Sequence, residues 1–502
     1  MTTRKLLAAL LASAAMASAA QAADLRIGLQ EDPDALDTAQ ARTFVGRIVF
    51  ESLCDKLVNI GPDQSFKPEL ATSWAWSEDG LKLVMQLRTD ATFHDGTPFD
   101  AAAVVANIER NKTLPESRRK SELASVESVA ATGTHEVTFT LSKPDATLVA
   151  QLSDRAGMMV SPTAAAEKGL ELANSPVCSG PYKFVERIAQ DRIVLEKFAE
   201  HYDAANYHFD RVIFLPIPDT TVRLANLQSG DLDMLERLAP SDVAAVKGNA
   251  ALKFESAVSQ GYQGITVNVN NGPRSETPFG KDKRVRQALS LAIDREVVNQ
   301  VVFEGVYAAG NQPFPPTSPW YDASNPVPAR DVEKAKALLA EAGIDRIAIE
   351  MQAANNPVQL QLMQVIQSMA AEAGIDISIQ ATEFASMLEQ QTQGNYDSTQ
   401  VGWSGRTDPD GNIHSFVTCG GGLNDAKFCN ETVDALLNEA RTSTDPAVRK
   451  AKYDEAGKIL AEELPIIYLY HQTWLWAMDS KIEGFVPYPD GMIRLAGVKK
   501  AE

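Results

Sequence analysis

The chain has 502 residues, with 47 Lys and Arg against 66 Asp and Glu and a formal charge of −19 at pH 7. So acidic a surface repels nucleic acid and anionic lipid at long range, which sets both aside as partners. Its length is ample for two or three packed units.

The first residues, MTTRKLLAALLASAAMASAAQAA, place Arg4 and Lys5 before an apolar stretch at 6–19 and end in Ala20-Gln21-Ala22. This is the layout of a secretory signal peptide over residues 1–22, too short and alanine-rich to span a bilayer comfortably. Cleavage near Ala23 leaves 45 basic against 66 acidic residues, a charge of −21. No cysteine stands at the cleavage site, which argues against a lipid anchor, and no later run approaches the roughly eighteen apolar residues of a membrane helix. The expected product is a soluble protein exported to the periplasm.

Residues 23–30 read as a strand, and helical periodicity follows over 39–57. Residues 82–88 alternate as a strand, with Leu83, Met85 and Leu87 on one face. At 93–108, FHDGTPFDAAAVVANI joins a His94-Asp95-Gly96 turn to a helix capped by Asp100. Residues 135–141 alternate again, so 65–175 is expected to form a compact mixed unit. From Gly180 the pattern is strand-rich, then 220–228 is helical, 231–235 extended and 261–270 a buried strand. RVRQALSLAIDREVV, 284–298, is an amphipathic helix, and 310–328 is a proline-rich loop. Helices at 330–341 and 358–373 alternate with strands at 347–352 and 375–380, the second helix stopping at Gly374. Such alternation predicts a mostly parallel sheet covered by helices, an α/β chain with more than one lobe.

Four cysteines lie in the exported portion, in an oxidising compartment. Cys419 and Cys429 enclose GGGLNDAKF, a short flexible loop suited to a local disulfide, which leaves Cys54 and Cys178 to each other. No C-x-x-C is present and the histidines are scattered, so no metal or other cofactor is expected. Catalytic signatures are weak. Ser117-Arg118-Arg119-Lys120 matches S-x-x-K without its companion motifs, and Gly402-Trp403-Ser404-Gly405 departs from the nucleophile elbow at Arg406. No catalytic residue is assigned.

Several stretches together resemble a known family. FHDGTPFDAAAVVANI, the preceding LATSWAWSEDGLKLVMQLR, CSGPYKF at 178–184, RVRQALSLAIDRE, AKALLAEAG and GWSGRTDPDG occur in the order found in the extracellular solute-binding proteins of family 5. Those proteins serve ABC importers of peptides, nickel complexes and opines. CSGPYKF is similar to the family's G-[TS]-G-P-[YF], with Cys178 in place of the first glycine. The resemblance implies a two-lobed periplasmic binding protein fold, class II-like, with an extra inserted subdomain. Lobe I would be 24–64 with 176–265 and 480–502, the inserted subdomain 65–175, and lobe II 266–479.

In peptide-binding members an aspartate three residues after this tryptophan holds the ligand's α-ammonium group; here the position is Arg406. A guanidinium repels a cation and offers a planar fork to a carboxylate. Arg406 is therefore expected either to clamp an anionic group or to brace the turn through Asp408 or Asp410. Trp403 is expected as a stacking platform, with Asp408, Tyr262 and Gln263 as further solute contacts. The implied function is a monomeric, non-enzymatic receptor delivering small peptides, or peptide-like anionic solutes of opine or glutathione type, to an inner-membrane ABC permease complex. The alternative is a secreted serine hydrolase using Ser404 or Ser117.

Overall fold

The computed structural model describes residues 23–501, so the signal-peptide reading of 1–22 lies outside the described residues. Asp24–Leu29 forms the expected first strand, with Leu25, Ile27 and Leu29 fully buried. It pairs in parallel with Arg211–Pro216 and Met234–Leu235 at the centre of a seven-stranded sheet. Tyr182–Ile188, Arg192–Lys197, Leu252–Val258 and Thr473–Asp479 extend that sheet in antiparallel fashion.

In a second, six-stranded sheet, Ile347–Ala354 pairs in parallel with Ile375–Thr382 and Ser398–Trp403. Tyr262–Val267, Ile466–His471 and Ala308–Ala309 complete it, antiparallel. The expectation of a mostly parallel sheet is thus corrected: both sheets are mixed. Parallel pairs come from strand–helix–strand units, whereas hairpins and returning chain supply antiparallel strands. Inserted in sequence between Asp24–Leu29 and Tyr182–Ile188 of the seven-stranded sheet, Ala71–Trp76, Lys82–Leu87, Val126–Gly133 and Glu136–Leu141 form an antiparallel four-stranded sheet. Helix Ala101–Thr113 packs on it, its first turn capped by Asp100, which accepts from Ala103 N at 2.9 Å.

Local capping chemistry corrects two helices. The periodicity over 39–57 yields only Phe44–Leu53, because Thr43 Oγ1 accepts from Gly46 N and Asp34 in turn holds Thr43. The single helix expected at 284–298 is two, Lys283–Ala292 and Arg295–Phe303, because Asp294 caps the second by accepting from Val297 N.

Sheet membership also differs from the expected divisions at two places. Tyr262–Val267 straddles the limit drawn at 265 and pairs wholly in the six-stranded sheet. Thr473–Asp479, grouped with 266–479, pairs in the seven-stranded one. The chain crosses between the sheets at 259–261 and again at Gln472, where Ser259 N donates to Gln472 O at 3.1 Å. Both crossings interrupt long extended runs, so apolar alternation carries no mark of them.

Both disulfides are formed, Cys54–Cys178 and Cys419–Cys429. Peptide mapping without reduction is expected to recover these two linked fragments and no swapped pair. Their loops of 124 and 10 residues make the double Ser variants less stable by about 5 and about 3 kcal/mol respectively, on chain entropy. Denaturant titration of the two double variants checks that order; a larger loss from the short loop would contradict it.

Candidate functional site

A cavity of about 120 Å³ lies where the two large sheets face each other. The parallel strands of both sheets end at it. Asp24–Leu29 delivers Gln30 and Glu31, Met234–Leu235 delivers Arg237, and Ser398–Trp403 delivers Trp403 and Ser404. Crevices beyond the carboxyl ends of parallel strands are the usual ligand positions in α/β sheets.

The walls are aromatic. Trp403 meets Phe416 edge-on with ring centroids 4.8 Å apart, and its Nε1 donates to Asn412 Oδ1 at 3.2 Å. On the opposite side Phe44 stacks on Trp474 at 4.4 Å. Tyr262 is 3% exposed, and burial pushes its phenol well above the ordinary range, so it is neutral. Between the rings lie carboxamides. Gln263 Nε2 donates to Gln472 Oε1 at 3.2 Å, and Gln400 and Gln359 line the same space. Gln359 Oε1 and Gln472 Nε2 are buried without a partner. A carboxamide both donates and accepts, which matches the amides of a peptide-like solute.

Arg42 reaches across from the seven-stranded side. Its Nη2 donates to Asp425 Oδ2 at 2.5 Å, and its Nη1 to Thr392 Oγ1 at 2.5 Å and Leu388 O at 3.2 Å. All three acceptors belong to the six-stranded side.

Of the sequence-predicted residues, Trp403, Tyr262 and Gln263 line the cavity; Arg406 and Asp408 do not. The Arg406 guanidinium lies 4.0 Å over the Trp403 ring, turned to pair with Asp154 of the four-stranded unit. Its Nη1 donates to Gly405 O at 2.7 Å and Ser404 Oγ at 3.3 Å. Neither expected brace partner serves it. Asp408 takes Arg449 at 2.6 Å and Asp410 takes Arg441 at 2.7 Å. Buried charges must be paired, and each of these arginines has found its own carboxylate.

Asp154 is shared. Arg47 Nη2 stands 2.9 Å from it and Arg155 Nε 3.7 Å. Burial opposes its ionisation, but Arg406, Arg47 and Arg155 together outweigh burial and hold the carboxyl well below its ordinary range. Both serines of the hydrolase reading are engaged elsewhere. Ser404 Oγ accepts from Arg47 Nη1 at 3.0 Å as well as from Arg406, and Ser117 Oγ donates to Asn111 O at 2.6 Å. The guanidinium donors on Ser404 remove no proton, and the Ser117 proton is held by a backbone carbonyl that is no general base, so neither bond activates its hydroxyl as a nucleophile.

The turn after Trp403 is shaped by close packing. Gly405 has φ +88°, and a Cβ there would lie 2.5 Å from the backbone of Gln260 and Gly261. A Cβ on Gly261 would lie 1.8 Å from Trp403 O. The near-elbow Gly-Trp-Ser-Gly is thus the place where the first crossing passes the cavity wall. Sequence reasoning missed Glu31, Arg42, Arg237 and Gln472. The position of Gln30-Glu31 just beyond a buried strand was a usable signal for the first.

The chain is similar to known proteins along most of its length. Residues 65–424 match the family described as bacterial extracellular solute-binding proteins, family 5 Middle. A probable di/tripeptide-binding protein 5 of Pseudomonas aeruginosa (strain UCBPP-PA14) is 27% identical over 513 residues, covering 96% of each chain. The glutathione-binding protein GsiB of Pectobacterium atrosepticum is 28% identical, covering 97% of this chain and 96% of its own. Among solved structures, AgaA of A. tumefaciens R10 in complex with agropinic acid has a TM-score of 0.87 at 27% identity, covering 95% of this chain and 99% of its own.

Asp154→Asn leaves Arg47, Arg155 and Arg406 buried and mutually repelling, and is expected to cost about 3–5 kcal/mol. Arg406→Ala costs less, because Arg47 still pairs with Asp154. The lowered folded-state pKa of Asp154 means that its contribution is complete above the unfolded value of 3.8 and is lost as pH falls toward the folded value. Denaturation of the wild type and Asp154→Asn between pH 2 and pH 7 should therefore converge at the acid end. Parallel curves would contradict the assignment.

Proposed function

Because the chain belongs to the bacterial extracellular solute-binding proteins of family 5, we propose that it captures a small peptide or a peptide-like anionic solute of the opine or glutathione type. It works as the monomeric periplasmic component of an ABC importer and hands the solute, unchanged, to an inner-membrane permease complex. The observation that carries this reading is the aromatic-walled cavity whose free hydrogen-bonding groups include carboxamides, Gln359 Oε1 and Gln472 Nε2. Behind Trp403 the guanidiniums of Arg47, Arg155 and Arg406 converge on the Asp154 carboxylate, and Arg42 and Arg237 stand in the cavity lining itself, where a guanidinium suits an anionic group. The names of two relatives, di/tripeptide-binding and glutathione-binding, support the same class.

The seven-stranded sheet with the four-stranded insert makes one lobe, and the six-stranded sheet makes the other. They open about the paired crossings at 259–261 and Gln472 and close over the solute. Arg42 then acts as a latch, since its three bonds to Asp425, Thr392 and Leu388 exist only with the lobes together. The latch contributes to the lifetime of the closed complex and not to first encounter.

Native mass spectrometry of freshly purified protein should recover an intact amide-containing solute, and a panel of tripeptides titrated calorimetrically should include binders. Saturation with a binder is expected to lower the radius of gyration in solution scattering; an unchanged radius would sink the closing-lobe account. Arg42→Ala should weaken binding about tenfold to hundredfold, mainly through faster dissociation. A loss confined to the association rate would contradict the latch.

A further inference from the structure

Resting on that receptor reading and narrowing it, we propose that Glu31 and Arg237 form a recognition site for an α-amino-acid zwitterion. The Glu31 carboxylate takes the solute's ammonium group and the Arg237 guanidinium takes the carboxylate on the same carbon.

Both side chains line the interlobe cavity, and both lack hydrogen-bond partners among the described residues. The Glu31 side chain is 7% exposed, and its Oε1 is buried without a partner. Arg237 Nε is likewise buried and unpartnered. Their mutual approach is loose, Nη1 to Oε1 at 3.6 Å, and the next carboxylate oxygen, Glu236 Oε2, stands 3.5 Å from Nε. Unpartnered guanidinium nitrogens occur also on Arg155, Arg223 and Arg449, but each of those arginines donates at least one hydrogen bond, whereas the half-buried Arg237 side chain donates none among the described residues. A buried charge left without hydrogen bonds is costly, so both side chains are open to a partner that arrives through the cavity.

The pair is also held in place. Arg237 adopts φ 49°, a left-handed backbone uncommon for any residue but glycine, and its guanidinium lies 4.6 Å over the Phe44 ring. Gln30 N donates to Glu236 Oε1 at 2.7 Å and Arg223 Nη2 to Arg237 O at 2.9 Å, which ties the two strand ends together around the site.

One carbon bearing both ammonium and carboxylate presents opposite charges side by side, which suits a carboxylate and a guanidinium held 3.6 Å apart. An ordinary peptide separates its ammonium from its terminal carboxylate by the whole chain and satisfies one partner at a time. A γ-linked glutamyl peptide keeps the two together. Three residues after Trp403 stands Arg406, whose guanidinium is turned away to Asp154, so that turn supplies no carboxylate to a solute ammonium.

Burial pushes the Glu31 carboxyl up to about 7, against the pull of Arg237 and Arg223 and with the help of Glu236 and Glu383. An ammonium arriving beside it favours the ionised form, so binding near pH 6 to 7 releases a proton.

The test uses glutathione, whose glutamate is γ-linked, and its α-linked isomer of identical composition and formal charge, with trialanine as a plain peptide. Calorimetric titration of the wild type is expected to favour glutathione over the isomer by about tenfold or more. Repeating the glutathione titration at pH 6.5 in buffers of different ionisation heat should show proton release. In Glu31→Gln and Arg237→Gln the preference collapses, and in Glu31→Gln the proton release disappears. Melting curves confirm that both variants fold, and Arg237→Lys should restore part of the preference. Equal affinity for the two isomers, or binding of trialanine but neither isomer, overturns this site while leaving a peptide receptor. No binding by any of the three overturns this site, and fails the receptor reading as well if native mass spectrometry and the tripeptide panel also find no solute.

Discussion

Two short lengths of backbone, 259–261 and Gln472, carry the chain between its large sheets, and the ligand cavity takes its form from their packing. They lie against each other through Ser259 N and Gln472 O, and His471 Nδ1 meets Gly261 O at 2.7 Å. Burial pushes His471 down to about 4, so it is a neutral donor there. Nothing larger than glycine fits at 261 or 405, where the crossing touches the backbone of Trp403 and its successors. The wall that faces the solute and the pivot between the sheets are therefore one packed unit. A change in one is felt by the other.

Charge follows a similar logic of position. The exterior is strongly acidic, yet the interior between lobes and insert holds Arg47, Arg155 and Arg406 around one carboxylate. Asp154 comes from the four-stranded unit, Arg47 from the helix beside the seven-stranded sheet, and Arg406 from the turn after the six-stranded sheet. One ionised group thus joins three structural units. Arg406 gives up the cavity to make that junction, and its ring contact with Trp403 sets the back of the aromatic wall.

Much of this was legible in the sequence because it is local. The strand Asp24–Leu29, the Asp100 cap, the short disulfide loop and the cavity positions of Trp403, Tyr262 and Gln263 follow from alternation, capping and motif order. What escaped was long-range. The partner of Arg406 is chosen by which buried carboxylate tertiary packing brings near, and turn spacing pointed instead to Asp408 and Asp410, each claimed by a helix arginine. Glu31 and Arg237 meet because two parallel strands end side by side, a register that no single segment encodes. The sheet crossings were hidden for the opposite reason. Extended chain continues through them, and alternation does not say which sheet it joins.

The bond between Cys54 and Cys178 has a topological consequence. Its two ends flank the four-stranded unit, where Lys56 bridges Met158 and Val160 bridges Cys178. Covalently, the insert is a ring mounted on the first lobe by its stem. Severing one peptide bond anywhere in that ring leaves a single molecule, with the termini of the cut still anchored to the same base. Loops inside it can lengthen or shorten without paying out slack to the strands that carry Glu31 and Arg237, so the outer contour of the protein is free to vary while the inner geometry keeps its register.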